Sequence, residues 1–372
     1  MSTHKRKIRY AVVGLGHLAQ VAVLPAFAHA KNSELAALVS SDPKKLKKLG
    51  RLYRTDRLYH YDHLEECLQD GIDAVYIVLP NHLHREFTLR AAAAGAHVLC
   101  EKPMAVTSDE CREMIESARK HRRKLMIAYR LHFEKANLRA VEIARSGKLG
   151  DLRFFSSDFA QQVVAGNVRL AEPVEKGGGP IYDMGIYCLN AARYLFGAEP
   201  TDVLATRAGE GGARFRNAEE MTGAILRFPD ERLACFTASF GAAAIHRYTL
   251  IGTKGSLTAD PAYEYSKGLN LEITIGKRTA KRAFPKRDQF AAEITYFSDC
   301  IFKNRKPEPS GEEGLADVRV IEAIYESARS GKAVRLREFT KKRRPDMAQE
   351  IYRPAHGKPE TIGVESPKGK TA

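Results

Sequence analysis

Five short apolar runs in the first 130 residues of this 372-residue chain, Ile8–Val13, Leu35–Val39, Ala74–Leu79, His97–Cys100 and Leu125–Ala128, alternate with amphipathic stretches. Those stretches, Leu18–Ala30, Pro43–Tyr53, Leu64–Gln69, Arg85–Ala94 and Asp109–His121, carry helical periodicity. Strands apolar on both faces, each followed by a helix, predict a parallel sheet with right-handed crossovers, a doubly wound α/β domain over 1–129. After Tyr129 the rhythm changes. A helix from Phe133 to about Arg145 leads to the strand Leu152–Phe159, a long loop, Gly177-Gly178-Gly179 and the helix Ile181–Leu195. The runs Val203–Arg207, Ala224–Phe228, Leu233–Phe240, Tyr248–Gly252 and Ser256–Ala259 follow with short turns between them, which implies antiparallel pairing. Helices over Gln289–Phe302 and Gly314–Ser330 complete a second α/β domain, 130–336, built on a largely antiparallel open sheet. Residues 337–372 are basic and contain Pro and Gly with little apolar periodicity, the composition of a mobile tail or of an arm laid over a neighbouring subunit.

The formal net charge is +15, from 60 Lys and Arg against 45 Asp and Glu. The excess sits in short runs, at Lys5, Arg6, Lys7 and Arg9, over Arg119–Lys124 and over Lys341–Arg344, with no interleaved aromatics. This distribution argues against a nucleic-acid partner. No apolar stretch reaches the ~18–20 residues of a membrane span. Six scattered cysteines form no Cys-x-x-Cys pair and have no histidine at metal-ligand spacing, so buried free thiols, no metal and a reducing, cytoplasmic location are expected. The basic N-terminus runs directly into the first strand without an export-type apolar region, in keeping with that location.

The chemistry begins at Gly14-Leu15-Gly16-His17-Leu18-Ala19, where the first strand turns into a helix. In that setting the first glycine permits the tight turn, the second lets the backbone approach a pyrophosphate, and Ala19 allows close helix–strand packing. Gly14, Gly16, His17 and Leu18 are therefore assigned to dinucleotide binding. The second strand ends at Val39, and where an NAD site places a carboxylate this chain has Ser40 and Ser41, with Lys44 and Lys45 beyond. Hydroxyls and ammonium groups suit a 2′-phosphate, so NADP is favoured, while a loop shift bringing Asp42 to a 2′-hydroxyl leaves NAD open. Pro80, Asn81 and His84 follow the third long strand and Glu101-Lys102-Pro103 the fourth, at carboxyl ends where open α/β sheets bind ligands. Lys102, just outside a buried strand end, is a candidate proton donor or orienter.

Taken together, the Gly-x-Gly-x-x-Ala turn, Leu79–His84, Glu101-Lys102-Pro103 and Gly177-Gly178-Gly179 followed by Asp183-Met184-Gly185-Ile186-Tyr187 resemble the Gfo/Idh/MocA oxidoreductases, most closely their glucose–fructose oxidoreductase branch. The resemblance spans most of residues 8–335. It implies a Rossmann domain followed by an α/β domain whose sheet carries the substrate on one face and commonly a subunit contact on the other, hence a homodimer or homotetramer. It carries contact with the reacting hydroxyl and the nicotinamide region to Lys102, substrate contact to Asp183, and substrate contact with acid/base duty to Tyr187. On an α-helix, their i, i+4 spacing puts Asp183 and Tyr187 on one face. It also carries cofactor roles to Ser40, Lys45 and Arg130, and a substrate role to Arg169. Val168-Arg169 stands where relatives carry Trp-Arg, and the chain contains no tryptophan.

The reading is an NADP-dependent oxidoreductase moving a hydride between a sugar or polyol hydroxyl carbon and nicotinamide, with Lys102, Asp183 and Tyr187 as the catalytic set. One alternative is a glucose–fructose-type enzyme that never releases its NADP. Another is a non-catalytic NADP-sensing regulator.

Overall fold

The apolar runs become two sheets in the computed structural model, which describes residues 6–367 apart from 210, 212 and 213. Lys5 of the first basic run and residues 368–372 of the tail lie outside the described residues. The first sheet comprises β1 (Ile8–Val13), β2 (Ser33–Val39), β3 (Leu58–Tyr59), β4 (Ala74–Ile77), β5 (His97–Glu101) and β6 (Leu125–Ala128). Its order is β3-β2-β1-β4-β5-β6, all parallel. Every residue of β4 and β6 is buried, which is why these strands read as continuous rather than alternating apolar runs. The strand order reverses between β1 and β4, and a crevice opens there at the carboxyl ends.

The helix Pro43–Tyr53 begins where Pro43 presets its first turn and Asp42 accepts hydrogen bonds from Lys44 N and Lys45 N. The helix expected over Leu18–Ala30 is shorter. A π-turn, Ala19–Val23, runs into one α-turn, Leu24–Ala26, because Pro25 has no N–H to continue an α ladder.

The second sheet adds β7 (Leu152–Ala160), β8 (Asp202–Ala208), β9 (Met221–Phe228), β10 (Arg232–Ser239), β11 (Ile245–Gly252), β12 (Gly255–Ala259), β13 (Leu269–Ile275), β14 (Arg278–Phe284) and β15 (Val334–Arg335). Their order is β14-β13-β12-β11-β7-β10-β9-β8-β15. All pairs are antiparallel except β7 with β10, because β7 enters the sheet before the helical crossover and lies between two later strands. The hairpin β13–β14 has no counterpart in the sequence reading: all but the last residue of β14 is exposed, and its Arg278, Lys281 and Arg282 leave no apolar pattern on an edge strand. The helices Ile186–Phe196 and Gly311–Ser330 cover one face of the sheet. The other face leaves Phe154, Leu204, Ile225 and Leu233 uncovered on adjoining strands. Cys235 is exposed beside them, against the expectation of buried thiols; the other five cysteines are buried.

The helix Gln289–Phe302 leaves the second sheet and packs on the first. Phe290, Ala291, Ile294 and Phe297 join a core with Ile8, Tyr10 and Val12, and Ser298 Oγ lies 2.8 Å from Tyr10 Oη and 2.7 Å from Ser33 Oγ.

The tail lies along its own chain. Lys341 pairs with Glu308 at 2.7 Å and Glu313 at 3.0 Å, and Arg344 pairs with Glu199 at 2.7 Å. Gln349 Nε2 donates to Glu308 O, and Asp288 N donates to Arg353 O. Buried charge pairs and main-chain bonds, rather than apolar periodicity, order this segment. Among the described residues no helix is long and apolar enough to cross a membrane.

Candidate active site

The crevice is lined first by the turn after β1. Gly14 has φ +99°, and a Cβ there would meet Val78 O at 2.3 Å, so the turn requires glycine. A Cβ at Gly16 would touch nothing within 4 Å, so its bare backbone faces open space where a phosphate fits. His17 and Leu18 are half-buried beside it, and His17 is held below its ordinary range by burial and by Arg169 of the second domain.

At the end of β2, Ser40 is buried and its Oγ accepts from Asp42 N, while Ser41 is exposed. The Asp42 carboxylate caps Lys44 N and Lys45 N at 2.9 and 3.0 Å and pairs with Lys45 Nζ at 3.6 Å. These contacts, the Lys45 N–H foremost, hold it below the usual carboxylate range. A carboxylate committed to its helix is poorly placed to receive a ribose hydroxyl, and Ser41 and Lys45 remain at this corner as partners for a phosphate. The residues present thus fit a phosphorylated dinucleotide.

Lys102, Asp183 and Tyr187 converge across the crevice. Lys102 Nζ donates to Asp183 O at 2.8 Å, lies 3.4 Å from Asp183 Oδ1, and sits 4.8 Å from the Tyr187 ring centroid. Arg169 Nη1 donates to Asp183 Oδ2. Burial opposes charge on Asp183, but Arg169 and Lys102 outweigh it and hold the carboxyl below its ordinary range. The segment Ile181–Gly185 is a π-turn that becomes an α-helix at Ile186, so Asp183 and Tyr187 do not share α-helical spacing as expected. The wider turn still brings both to Lys102; such turns recur at functional sites.

Arg130 is buried, with its guanidinium 4.9 Å from the Tyr187 ring centroid and 5.2 Å from that of Tyr265. Its terminal nitrogens donate to Gln289 Oε1 and Tyr263 O. It therefore braces the Tyr187 ring, with both Nη groups already bonded within the protein. Tyr263 and Phe159 close the remaining sides of that ring. These three aromatics and Gln289 were not legible in the sequence, since each becomes informative only beside Arg130.

Two assigned residues face away from the crevice. His84 is fully buried, with Nδ1 2.8 Å from Pro103 O and Nε2 2.9 Å from Leu79 O, and it ties the turn after β4 to the one after β5. Glu101 lies behind Lys102 in a buried cluster: Tyr76 Oη is 2.9 Å from Glu101 Oε1 and 2.6 Å from Glu293 Oε1. One hydroxyl proton cannot serve two carboxylates, so one carboxyl carries its own proton. Burial raises both carboxyls, and the charge of Glu101 adds to it at Glu293, which is pushed well above the carboxylate range. Pro80 is exposed at the mouth, and Asn81 Nδ2 donates to Gly177 O at 2.7 Å, which joins the two domains. No group of three or more metal-ligating side chains occurs among the described residues.

Both domains of the chain match known proteins. Residues 8–129 match the model of an oxidoreductase family with an NAD-binding Rossmann fold, and residues 137–258 match a GFO/IDH/MocA C-terminal domain. The chain is 31% identical over 339 residues to the D-xylose 1-dehydrogenase [NADP(+)] of Haloarcula marismortui, covering 88% of this chain and 93% of that one. It is similar to the solved aldose-aldose oxidoreductase of Caulobacter crescentus complexed with glycerol, at 40% identity and a TM-score of 0.85, over 89% of this chain and 100% of that one. A 3-ketoreductase from Actinomadura kijaniata, solved with NADP and TDP-benzene, matches at 25% identity and a TM-score of 0.79, over 87% and 98% of the two chains.

Proposed function

Because the chain belongs to the Gfo/Idh/MocA oxidoreductase family, we propose that it is an NADP-dependent enzyme that oxidises a hydroxyl-bearing carbon of an aldose or polyol, or reduces the corresponding carbonyl. The observation that carries this reading is the meeting of Lys102, Asp183 and Tyr187 at the carboxyl end of β5. The nicotinamide, when bound, supplies or accepts the hydride. Tyr187 takes the hydroxyl proton in oxidation and returns it in reduction. The Lys102 ammonium has three protons, of which Asp183 O and Oδ1 engage two. The third is directed at the substrate oxygen, where it favours the developing alkoxide. Asp183, kept ionised by Arg169 and Lys102, accepts from a second hydroxyl of the sugar and so fixes which carbon faces the ring. Gly14, Gly16, His17 and Leu18 frame the pyrophosphate, and Ser40, Ser41 and Lys45 the 2′-phosphate.

The 40% identity to an aldose-aldose oxidoreductase supports a second reading, in which one NADP serves an oxidation and then a reduction without leaving. The uncovered sheet face carrying Phe154, Leu204, Ile225 and Leu233 supports a homodimer or homotetramer, which light scattering tests.

The test of the assignment is a cofactor-reduction screen of aldoses and polyols with NADP and NAD, followed by Tyr187→Phe on the best substrate. Loss of turnover with NADPH binding intact is the expected outcome. Unchanged turnover refutes the acid/base role, and NADPH binding without turnover across the panel favours a sensing protein.

A further inference from the structure

Residues 362–367 run from the glycine-rich turn of the first domain to the Val164 loop of the second. Gln20, in the first turn after the glycine-rich segment, is fully buried, and its amide makes a two-way bond to the tail: Ile362 N donates to Gln20 Oε1 at 2.6 Å and Gln20 Nε2 donates to Ile362 O at 3.0 Å. The same Nε2 lies 2.9 Å from Leu15 O, so the tail is tied to the main chain of the glycine-rich turn itself. Next along the chain, a Cβ on Gly363 would lie 3.3 Å from Lys45 Cε, at the corner assigned to the 2′-phosphate. Four residues later Val164 N donates to Pro367 O at 3.0 Å, and Pro367 is buried. Val164 belongs to the second-domain loop that carries Arg169 to Asp183. The strap thus leaves the bank formed by Leu15, Gln20 and Lys45 and lands on the opposite bank. Upstream it is moored: Arg287 pairs with Glu350 at 2.7 Å and Asp288 N donates to Arg353 O at 3.1 Å.

We propose that residues 356–367 form the outer wall of the dinucleotide site and slow NADP release between turnovers. This rests on the reading of the crevice as an NADP site and adds to it a set of this chain's own residues. A dinucleotide leaving the crevice must pass the strap, so the Gln20–Ile362 and Val164–Pro367 bonds must open first. The wall comes from the same chain, so the retention does not depend on protein concentration.

The test is NADPH release, followed by loss of nicotinamide fluorescence after a chase with excess NADP in a stopped-flow instrument. Three proteins are compared: the full chain, a chain ending at Ala355, and Ile362→Pro, which removes the N–H donated to Gln20. The truncation keeps every mooring through Arg353, and thermal melts check that it is folded. Release at least tenfold faster in the truncation, and several-fold faster in Ile362→Pro, is the expected result. Release within twofold of the full chain in both variants overturns the proposal, as does tighter NADPH binding by the truncation, which would make the strap a plug. NADPH binding by none of the three overturns the cofactor reading and the strap with it. Faster release without turnover of any sugar supports the strap and refutes only the enzymatic reading.

Discussion

Replacing Lys102 with Met keeps the aliphatic stem and removes the ammonium. In the structure that ammonium is nearly enclosed, with 9% side-chain exposure, so water does not readily stand in for it. Two of its three protons face Asp183 O and Oδ1, and the third is the one donor assigned to the reacting oxygen. Removing a preorganised donor to a developing oxyanion costs about 2.7–4 kcal/mol, or roughly 10²–10³ in kcat. A simple charge estimate is consistent with this: unit charges ~3 Å apart at an effective dielectric of about 20 attract by ~5.5 kcal/mol, an upper bound before desolvation. Asp183 keeps Arg169 as its partner, so the carboxylate stays ionised and substrate orientation survives. The variant is therefore expected to lose kcat and kcat/KM alike by two to three orders of magnitude, with KM and NADPH affinity changed by less than about threefold. Steady-state kinetics on the best aldose and fluorescence titration with NADPH measure the two quantities. A Lys102→Met enzyme that retains a fifth of its kcat refutes the assignment, and one that loses NADPH affinity as much as kcat moves Lys102 from the substrate to the cofactor.

Lys45→Met is expected to weaken NADP(H) about 10–100-fold, the range for one charge-assisted phosphate contact of ~1.5–3 kcal/mol, and to leave NAD(H) within threefold; equal effects on both cofactors in fluorescence titrations would dissociate Lys45 from the 2′-phosphate. Whereas the unfolded chain keeps the ordinary value, burial and the neighbouring Glu101 hold the Glu293 carboxyl well above its ordinary range in the fold. Its raised value stabilises fully below the ordinary carboxylate range, and that contribution is lost as pH rises through the folded-state value. Melting temperatures should therefore fall more steeply towards alkaline pH for the native protein than for Glu293→Gln; parallel curves would place the shared proton elsewhere.

How far the sequence carried depends on whether a residue's role was set by its neighbours in the chain or by groups distant in it. The parallel strands were legible because burial on both faces leaves an unbroken apolar run, and the helix Pro43–Tyr53 because Asp42 and Pro43 mark its start. The hairpin β13–β14 was not, since an exposed, charged edge strand has no period to read. At the site, Gly14 and Gly16 were read from local geometry, Lys102 from its place at a strand end and from resemblance to a family, and Asp183 and Tyr187 through that resemblance. The burial of His84 between Pro103 O and Leu79 O could not be read, because those two carbonyls come from two different turns. The bonds of Arg130 to Tyr263 and Gln289 could not be read, because both lie more than 130 residues away in the chain. The tail was read as a mobile segment or an arm over a neighbouring subunit because its moorings on its own chain are isolated charges and main-chain groups, to which hydrophobic periodicity is blind.

The return of Gln289–Phe302 to the first sheet sets an order on biosynthesis. Its core residues complete the apolar surface around Ile8, Tyr10 and Val12, which are 2% exposed or less in the finished protein. During translation that surface exists long before its cover does: about 170 residues separate β6 from the end of the helix, or roughly 10–30 s at ~5–20 residues per second. The nascent first domain therefore spends that interval with an incomplete core. A chain cut at the apparent domain boundary would be permanently in that state, so a fragment ending near residue 129 is a poor vehicle for studying cofactor binding in isolation.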